Sequence, residues 1–330
     1  MRRNIGALMT GRGIAMAIAL GLAALATAAW AQDFPTRAVR MVVPFAPGGP
    51  ADLLARAVAP AMASGLGQPV VVENRAGVGG VTGVDAVAKA TPDGYTIGMS
   101  GPGALVAAPY MMKAPYDPAR DIAPLARVAR VTGVVVVPGN TPYKTLADLV
   151  AAARSAPGKL SFGSAGSGTL IHLAGELLNL EAGVNIVHVP YKGGAPATVD
   201  LLAGRIQLMF PDLPAVMSQI RAGSIRALAV TSTTRAAALP NVPTTAEAGM
   251  PNLLSDSWYG LIAPRGVPAP AFRKLADAAL AALKSPEVGA QIVAQGAVVA
   301  PSDPQEFSAL IADEQRRWRR VIEATGAKME

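Results

Sequence analysis

Short apolar runs rich in valine and isoleucine alternate along the chain with stretches whose apolar residues repeat at helical spacing. The first kind predicts strands at residues 39–45, 70–73, 96–100, 131–137, 160–163, 186–190, 206–210, 227–231 and 259–263. The second predicts helices near 51–64, 81–90, 146–155, 170–180, 195–203, 215–222 and 272–284, with a last helix over 304–325. Strand and helix in turn are the pattern of a largely parallel sheet covered by helices, so the expected fold class is α/β. The helical patterning lapses around 130–139 and again around 252–258, between flanking strands. The block between these lapses reads as a second lobe over 132–254, inserted into a first lobe made of 32–131 and 255–330. Two connecting segments between two lobes suit hinge closure around a ligand.

The amino-terminal pattern is different. Arg2, Arg3 and Arg12 precede an uncharged apolar run over 14–29, followed by the small-residue site Ala29-Trp30-Ala31. This is the pattern of an export signal over residues 1–31, cleaved after Ala31 to send the protein to the periplasm. Retention as a membrane anchor is the alternative, but the apolar run falls short of the roughly 20 residues a spanning helix needs. The chain has no cysteine, so the exported fold must hold without disulfides and a lipid anchor on cysteine is excluded. Formal charge is +7 for the whole chain, of which the signal supplies three arginines and no acid, leaving a mild excess. The one basic cluster, Arg316-Arg317-Trp318-Arg319-Arg320, fans around a helix and predicts a solvated terminal helix rather than a nucleic-acid face.

Candidate chemistry gathers in three glycine-rich turns, each where a strand is expected to end and a helix to begin. They are Pro44-Phe45-Ala46-Pro47-Gly48-Gly49-Pro50-Ala51-Asp52, Gly163-Ser164-Ala165-Gly166-Ser167-Gly168-Thr169, and Tyr191-Lys192-Gly193-Gly194-Ala195. Backbone amides at a helix start lack intrahelical partners and carry partial positive charge, so they can hold an anion without a charged side chain. The glycines alone would serve equally to permit tight turns. Three such turns, at the carboxyl ends of strands where open α/β sheets bind ligands, point to a carboxylate site.

Enzyme readings find no complete constellation. The 163–169 turn lacks the lysine of a phosphate loop, and Ser100 lies in Gly98-Met99-Ser100-Gly101-Pro102, where a nucleophile elbow would need glycine at Pro102. His172 and His188 are the only histidines, so no zinc or copper site is expected and no cofactor is implied. His188, in an apolar strand, reads as a core residue. His172 could touch ligand or merely wall the cleft.

Several segments in order resemble one family. They are Val42-Val43-Pro44-Phe45-Ala46-Pro47-Gly48-Gly49 with Asp52, Val72-Glu73-Asn74-Arg75-Ala76-Gly77 with Gly79-Gly80, Pro92-Asp93-Gly94-Tyr95-Thr96, and Val189-Pro190-Tyr191-Lys192-Gly193-Gly194. Leu239-Pro240-Asn241-Val242-Pro243-Thr244, Glu247-Ala248-Gly249 and Trp258-Tyr259-Gly260-Leu261 follow. From about Phe34 onward the chain resembles the tripartite tricarboxylate transporter receptors, the Bug family of periplasmic solute-binding proteins. The resemblance implies a non-catalytic Venus flytrap receptor that grips one carboxylate through backbone amides, hydroxyls and waters. It implies first-lobe contacts at Ala46, Gly48, Gly49 and Ser100, with Asp52 fixing its turn. Second-lobe contacts would be Ser164, Ala165, Gly166, Thr169 and His172, with Tyr191, Lys192 and Asp212 at the rim. Pro50 and Ala51 stand where many relatives carry a polar residue. Asp212, if close to the ligand, would disfavour negative charge or select an amino group. Facing solvent it would do neither, and that is the expectation. The implied partners are a small organic acid and a membrane permease, with the receptor a monomer. The acid is left open among citrate-like, dicarboxylate, acidic amino acid and aromatic types. A sensor on the same scaffold, or an enzyme, is the alternative.

Overall fold

The computed structural model describes residues 34–328. The first sheet contains β1 (Val39–Val43), β2 (Val70–Asn74), β3 (Thr96–Ser100), β4 (Ile122–Val131), β10 (Ser257–Pro264) and β11 (Val298–Ser302). Their spatial order is β11-β4-β10-β3-β1-β2. The second contains β5 (Val134–Pro138), β6 (Ser161–Ser164), β7 (Val187–Pro190), β8 (Leu208–Met209) and β9 (Ile225–Val230), in the order β7-β6-β8-β5-β9.

The mixture of α and β is as expected, but the sheets are less parallel than the alternation predicted. β1 pairs parallel with β2 and β3, and β6 with β7 and β8. β10, β11, β5 and β9 all run antiparallel to their neighbours. The cause is the chain path. β4 leads directly into β5 and so carries the chain out of the first sheet, and β10 brings it back against β3 and β4 in the opposite sense. The apolar run at 131–137 read as one strand, whereas it is the end of β4, a two-residue crossing, and β5.

The helices that position the site follow strands. They are α1 (Pro50–Leu66) after β1, α6 (Leu170–Ala182) after β6, α7 (Gly194–Leu202) after β7 and α8 (Leu213–Arg221) after β8. Between α1 and α6 lie α2 (Val81–Ala88), α3 (Ala108–Met111), α4 (Pro118–Asp121) and α5 (Leu146–Ser155). After β10 come α9 (Ala269–Leu283), α10 (Pro286–Ala294) and α11 (Pro304–Thr325). Among the described residues no helix is long and apolar enough to cross a membrane. The export signal expected over 1–31 lies outside the described residues.

α11 starts with a capping box in which Asp303 and Glu306 exchange hydrogen bonds with each other's backbone amides. It is not wholly solvated, as the arginine cluster suggested. Trp318 is buried, donates through Nε1 to Glu314 at 2.8 Å and lies beneath the Arg317 guanidinium. The helix packs on β4 and also on α6, where Arg320 meets Glu181 at 3.5 Å.

Where the chain passes between sheets, its segments lie side by side. Thr231 N–H donates to Gly133 O and Ser255 N–H to Thr231 O, at 2.9 and 3.1 Å. Asp256 accepts from Gly133 N–H at 3.3 Å and from Arg130 at 3.2 Å. A Cβ on Gly133 would collide with Thr231 Oγ1, so only glycine allows this approach.

Candidate functional site

The turn after β1 is organised by one buried carboxylate. Asp52, 2% exposed, accepts from Gly48 N–H at 2.9 Å, from Asn74 Nδ2 at 2.9 Å and from Arg56 Nε at 3.0 Å. Asn74 also donates to Phe45 O at 3.1 Å, which ties the turn to β2. The Arg56 hydrogen bond does most to lower the Asp52 pKa, to about 2, and the Gly48 and Asn74 bonds add to it against the cost of burial. Gly48 sits at φ +81, a conformation glycine adopts without strain. Gly49 then caps α1, with no side-chain cap and Pro50 at the first turn.

In the turn after β6 neutral groups do the same work. Ser164 Oγ accepts from Gly166 N–H at 3.1 Å and lies 2.6 Å from His188 Nε2. Thr169 Oγ1 donates to Gly166 O at 2.7 Å and caps α6 by accepting from His172 N–H. His172 Nδ1 accepts from Gly168 N–H at 3.1 Å, its Nε2 lies 3.5 Å from Glu176, and its ring stacks on His188 at 3.8 Å. Burial, with the neighbouring His172, lowers the His188 pKa to about 4. The third turn brings Gly193 at φ +113 to the start of α7, again without a side-chain cap.

These turns open on one cavity of about 740 Å³ between the carboxyl ends of the two sets of strands. Phe45, Gly49 and Pro50 line it from the first turn, Gly101, Pro102 and Gly103 from the end of β3. Ala165 and Thr169 line it from the second turn, Gly194 and Ala195 from the third. Lining residue Gly103 lies close to the turn after β6, where a Cβ on it would stand 3.9 Å from Gly168 O. Asp212 lines the cavity beside Ser257 and Tyr259. Burial pushes its pKa up to about 6, with Asp256 adding to the rise and a hydrogen bond from Ser257 opposing it. The Tyr259 hydroxyl is pushed up by the same enclosure and by Asp212.

The sequence profile of the tripartite tricarboxylate transporter family receptor matches residues 54–327. The chain belongs to that family. BugT of Bordetella pertussis is 39% identical over 315 residues, covering 95% of this chain and 97% of BugT. The structure of Rhodopseudomonas palustris Rpa4515 with adipate aligns with TM-score 0.80 and 37% identity, covering 90% of this chain and all of that one. MatC from the same organism, with bound malate, aligns with TM-score 0.76 and 33% identity, covering 88% of this chain and all of MatC. The fold is therefore the two-lobed fold of periplasmic binding proteins, with a cleft between the lobes.

Of the thirteen residues expected at this family member's site, Gly49, Ala165, Thr169 and Asp212 line the cavity. The others stand behind it or beside it. Gly48 and Gly166 spend their amides on Asp52 and Ser164, so they shape the turns instead of presenting N–H groups. Ser100 is fully buried, with no partner for its hydroxyl among the described residues, one residue short of the lining glycine Gly101. Ser164 is buried under its own turn, and Ala46 is exposed outside the lining. His172, 4% exposed, turns both ring nitrogens inward to Gly168 and Glu176 and does not reach the cavity. Tyr191 donates to Asp200 at 2.8 Å, and Lys192 is exposed beyond the lining. Asp212 corrects the expectation in the other direction, because it faces the cleft and not bulk solvent.

Sequence reasoning missed the apolar wall. Ala195, Thr198, Val199 and Leu202 line the cavity at helical spacing along α7, while Ala197 and Leu201 on the same helix face the core. An α7 that is apolar on two faces was the available signal, since a helix with one core face needs only one.

Proposed function

We propose that the protein is an exported receptor that captures a small organic carboxylate in this cleft and delivers it to a membrane permease of the tripartite tricarboxylate type. One observation carries the reading: α1 and α7, from different lobes, both begin at glycine caps without side-chain partners, and both starts line the same cavity. Unpartnered amides at helix starts favour an anion, and a carboxylate bridging two lobes would hold them closed. The adipate and malate bound by the structural neighbours support a carboxylate. In this reading residues 1–31 are an export signal, and the lobes are 32–131 with 255–330 and 132–254. Gly49, Ala165, Thr169 and Gly194 contact the ligand, while Asp52 and His172 hold the turns from behind.

A thermal-shift screen of residues 32–330 against di- and tricarboxylates, acidic amino acids and aromatic acids tests this. A ligand at 100 times its dissociation constant stabilises by about 2.7 kcal/mol, which gives a clear shift in melting temperature. A full panel of acids that leaves the melting temperature unchanged would overturn the proposal.

A further inference from the structure

A second cavity, of about 210 Å³, lies on the other side of β10 from the cleft. Side chains alternate across a strand, and Ser257 and Tyr259 line the cleft whereas Asp256 and Trp258 line this cavity. Its walls come from elements far apart in sequence: Arg127 and Arg130 on β4, Glu314 and Arg317 on α11, and residues 231–233 just after β9.

Arg127 and Arg130 are three residues apart on a strand, a spacing that normally sends side chains to opposite faces. A β-bulge brings them together. Tyr259 pairs with Ala129 and Gly260 with Arg127, so Val128 is the extra residue and the alternation shifts by one. Two half-buried guanidiniums therefore line one cavity. Arg127 donates through Nε to Ala300 O at 2.7 Å and makes no ion pair among the described residues. Burial lowers its pKa, the neighbouring Arg130 charge lowers it further, and Glu306 opposes the fall.

The acids at the cavity are already engaged. Asp256 accepts from Arg130 and from Gly133 N–H, and Glu314 accepts from Trp318 Nε1 at 2.8 Å and lies 3.5 Å from Arg317. Three arginines against two acids leave positive charge in excess. Donors are left over as well. Trp258 is 4% exposed and its Nε1–H has no partner among the described residues, and the buried Nε–H of Arg317 has none either. A buried donor without a partner costs free energy that a bound acceptor would recover.

We propose that this cavity is a second anion site, which takes a small tetrahedral oxyanion such as sulfate or phosphate between Arg127, Arg130 and Arg317. Guanidinium forks from a strand and from a helix approach such an anion from different directions, whereas a single fork satisfies a planar carboxylate. The anion offsets the repulsion between Arg127 and Arg130 and supplies the acceptor that the Trp258 indole lacks.

Amide and indole spectra of residues 32–330, recorded during titration with sodium sulfate, sodium acetate and sodium chloride at constant ionic strength, test the site. Two indole N–H signals come from this chain, Trp258 and Trp318, and the Gly49 and Gly194 amides report separately on any anion in the cleft. The Trp258 signal should move to saturation with sulfate, at least tenfold more tightly than with acetate, and should not saturate with chloride. Arg127→Gln and Arg317→Gln should each weaken sulfate at least tenfold, and Arg127→Lys, which keeps the charge and loses the fork, severalfold. The proposal is overturned by a sulfate response confined to Gly49 and Gly194, or by a Trp258 shift that is linear or equal with chloride. Acetate binding as tightly as sulfate, or unchanged affinity in both glutamine variants, overturns it too. The carboxylate reading of the cleft is untouched by each of these outcomes, because it rests on different residues.

Discussion

The turns after β1 and β6 do the same job with different chemistry. Each is a glycine-rich strand-to-helix turn whose amide at a central glycine is taken by a side chain of its own lobe. The first uses an ionised, buried carboxylate backed by Arg56 and Asn74. The second uses a serine hydroxyl, a threonine cap and two stacked imidazoles. The first is thus a charged network that stays intact across ordinary pH, and the second a neutral one that acid can disturb. In both, a glycine expected as a ligand contact, Gly48 or Gly166, belongs to the frame of the turn, and its neighbour, Gly49 or Ala165, reaches the cavity.

The sharpest way to break the comparison is to remove the charge. Asp52→Ala leaves Gly48 N–H and Asn74 without their acceptor while the half-exposed Arg56 stays hydrated, so a loss of about 1–3 kcal/mol of stability is expected in urea unfolding. Because the folded pKa of Asp52 is lowered, its contribution is present above the ordinary carboxylate range. It should be lost only as pH falls from about 4 towards 2.

Next comes the backbone. Gly166 has φ +125, so Gly166→Val strains the second turn by about 1–3 kcal/mol and should abolish measurable ligand binding while the fold survives. Gly48→Val, at φ +81, should do the same to the first turn. Calorimetry on folded variants checks both.

Acid should separate the two turns. The folded pKa of His188 is lowered to about 4, so the unfolded chain binds more protons between pH 6.5 and 4 and stability must fall through that window. His188 is partly exposed, which reduces its contribution to about 1–2 kcal/mol. His188→Gln should flatten the stability profile over that interval, and an unchanged slope would remove the histidine pair from the account.

The smallest effect belongs to Lys192. Exposed and outside the lining, it can steer an anion but is screened by salt, so Lys192→Ala should weaken binding by tenfold or less, about 1.4 kcal/mol.

What could be read in advance follows the same division. Local signals were legible: apolar runs marked most strands, and glycine clusters marked the strand-to-helix turns that open on the cleft. Features that depend on chain reversal were not. β11 was missed because only its last residue is buried and its place depends on pairing with β4, while the lapse near 130–139 marked a crossing but not the antiparallel return of β10 that follows from it. Within the site, the sequence offered the turns but not which way each group points. His172 and Gly166 face inward because neighbours from the same lobe claim them, and Asp212 faces the cleft because Gly133 pairs with it in a β-bridge at the crossing.

The central claim is that backbone amides at two helix starts, one from each lobe, hold a carboxylate without a cation. Amide proton and nitrogen spectra of residues 32–330, recorded while the tightest-binding acid is added, test it most directly. The account predicts large downfield proton shifts at Gly49, Ala51, Ala165 and Gly194, with the Lys192 amide nearly unmoved. Unmoved signals at those four amides, together with a binding-linked change at a lysine or arginine side chain, would contradict it.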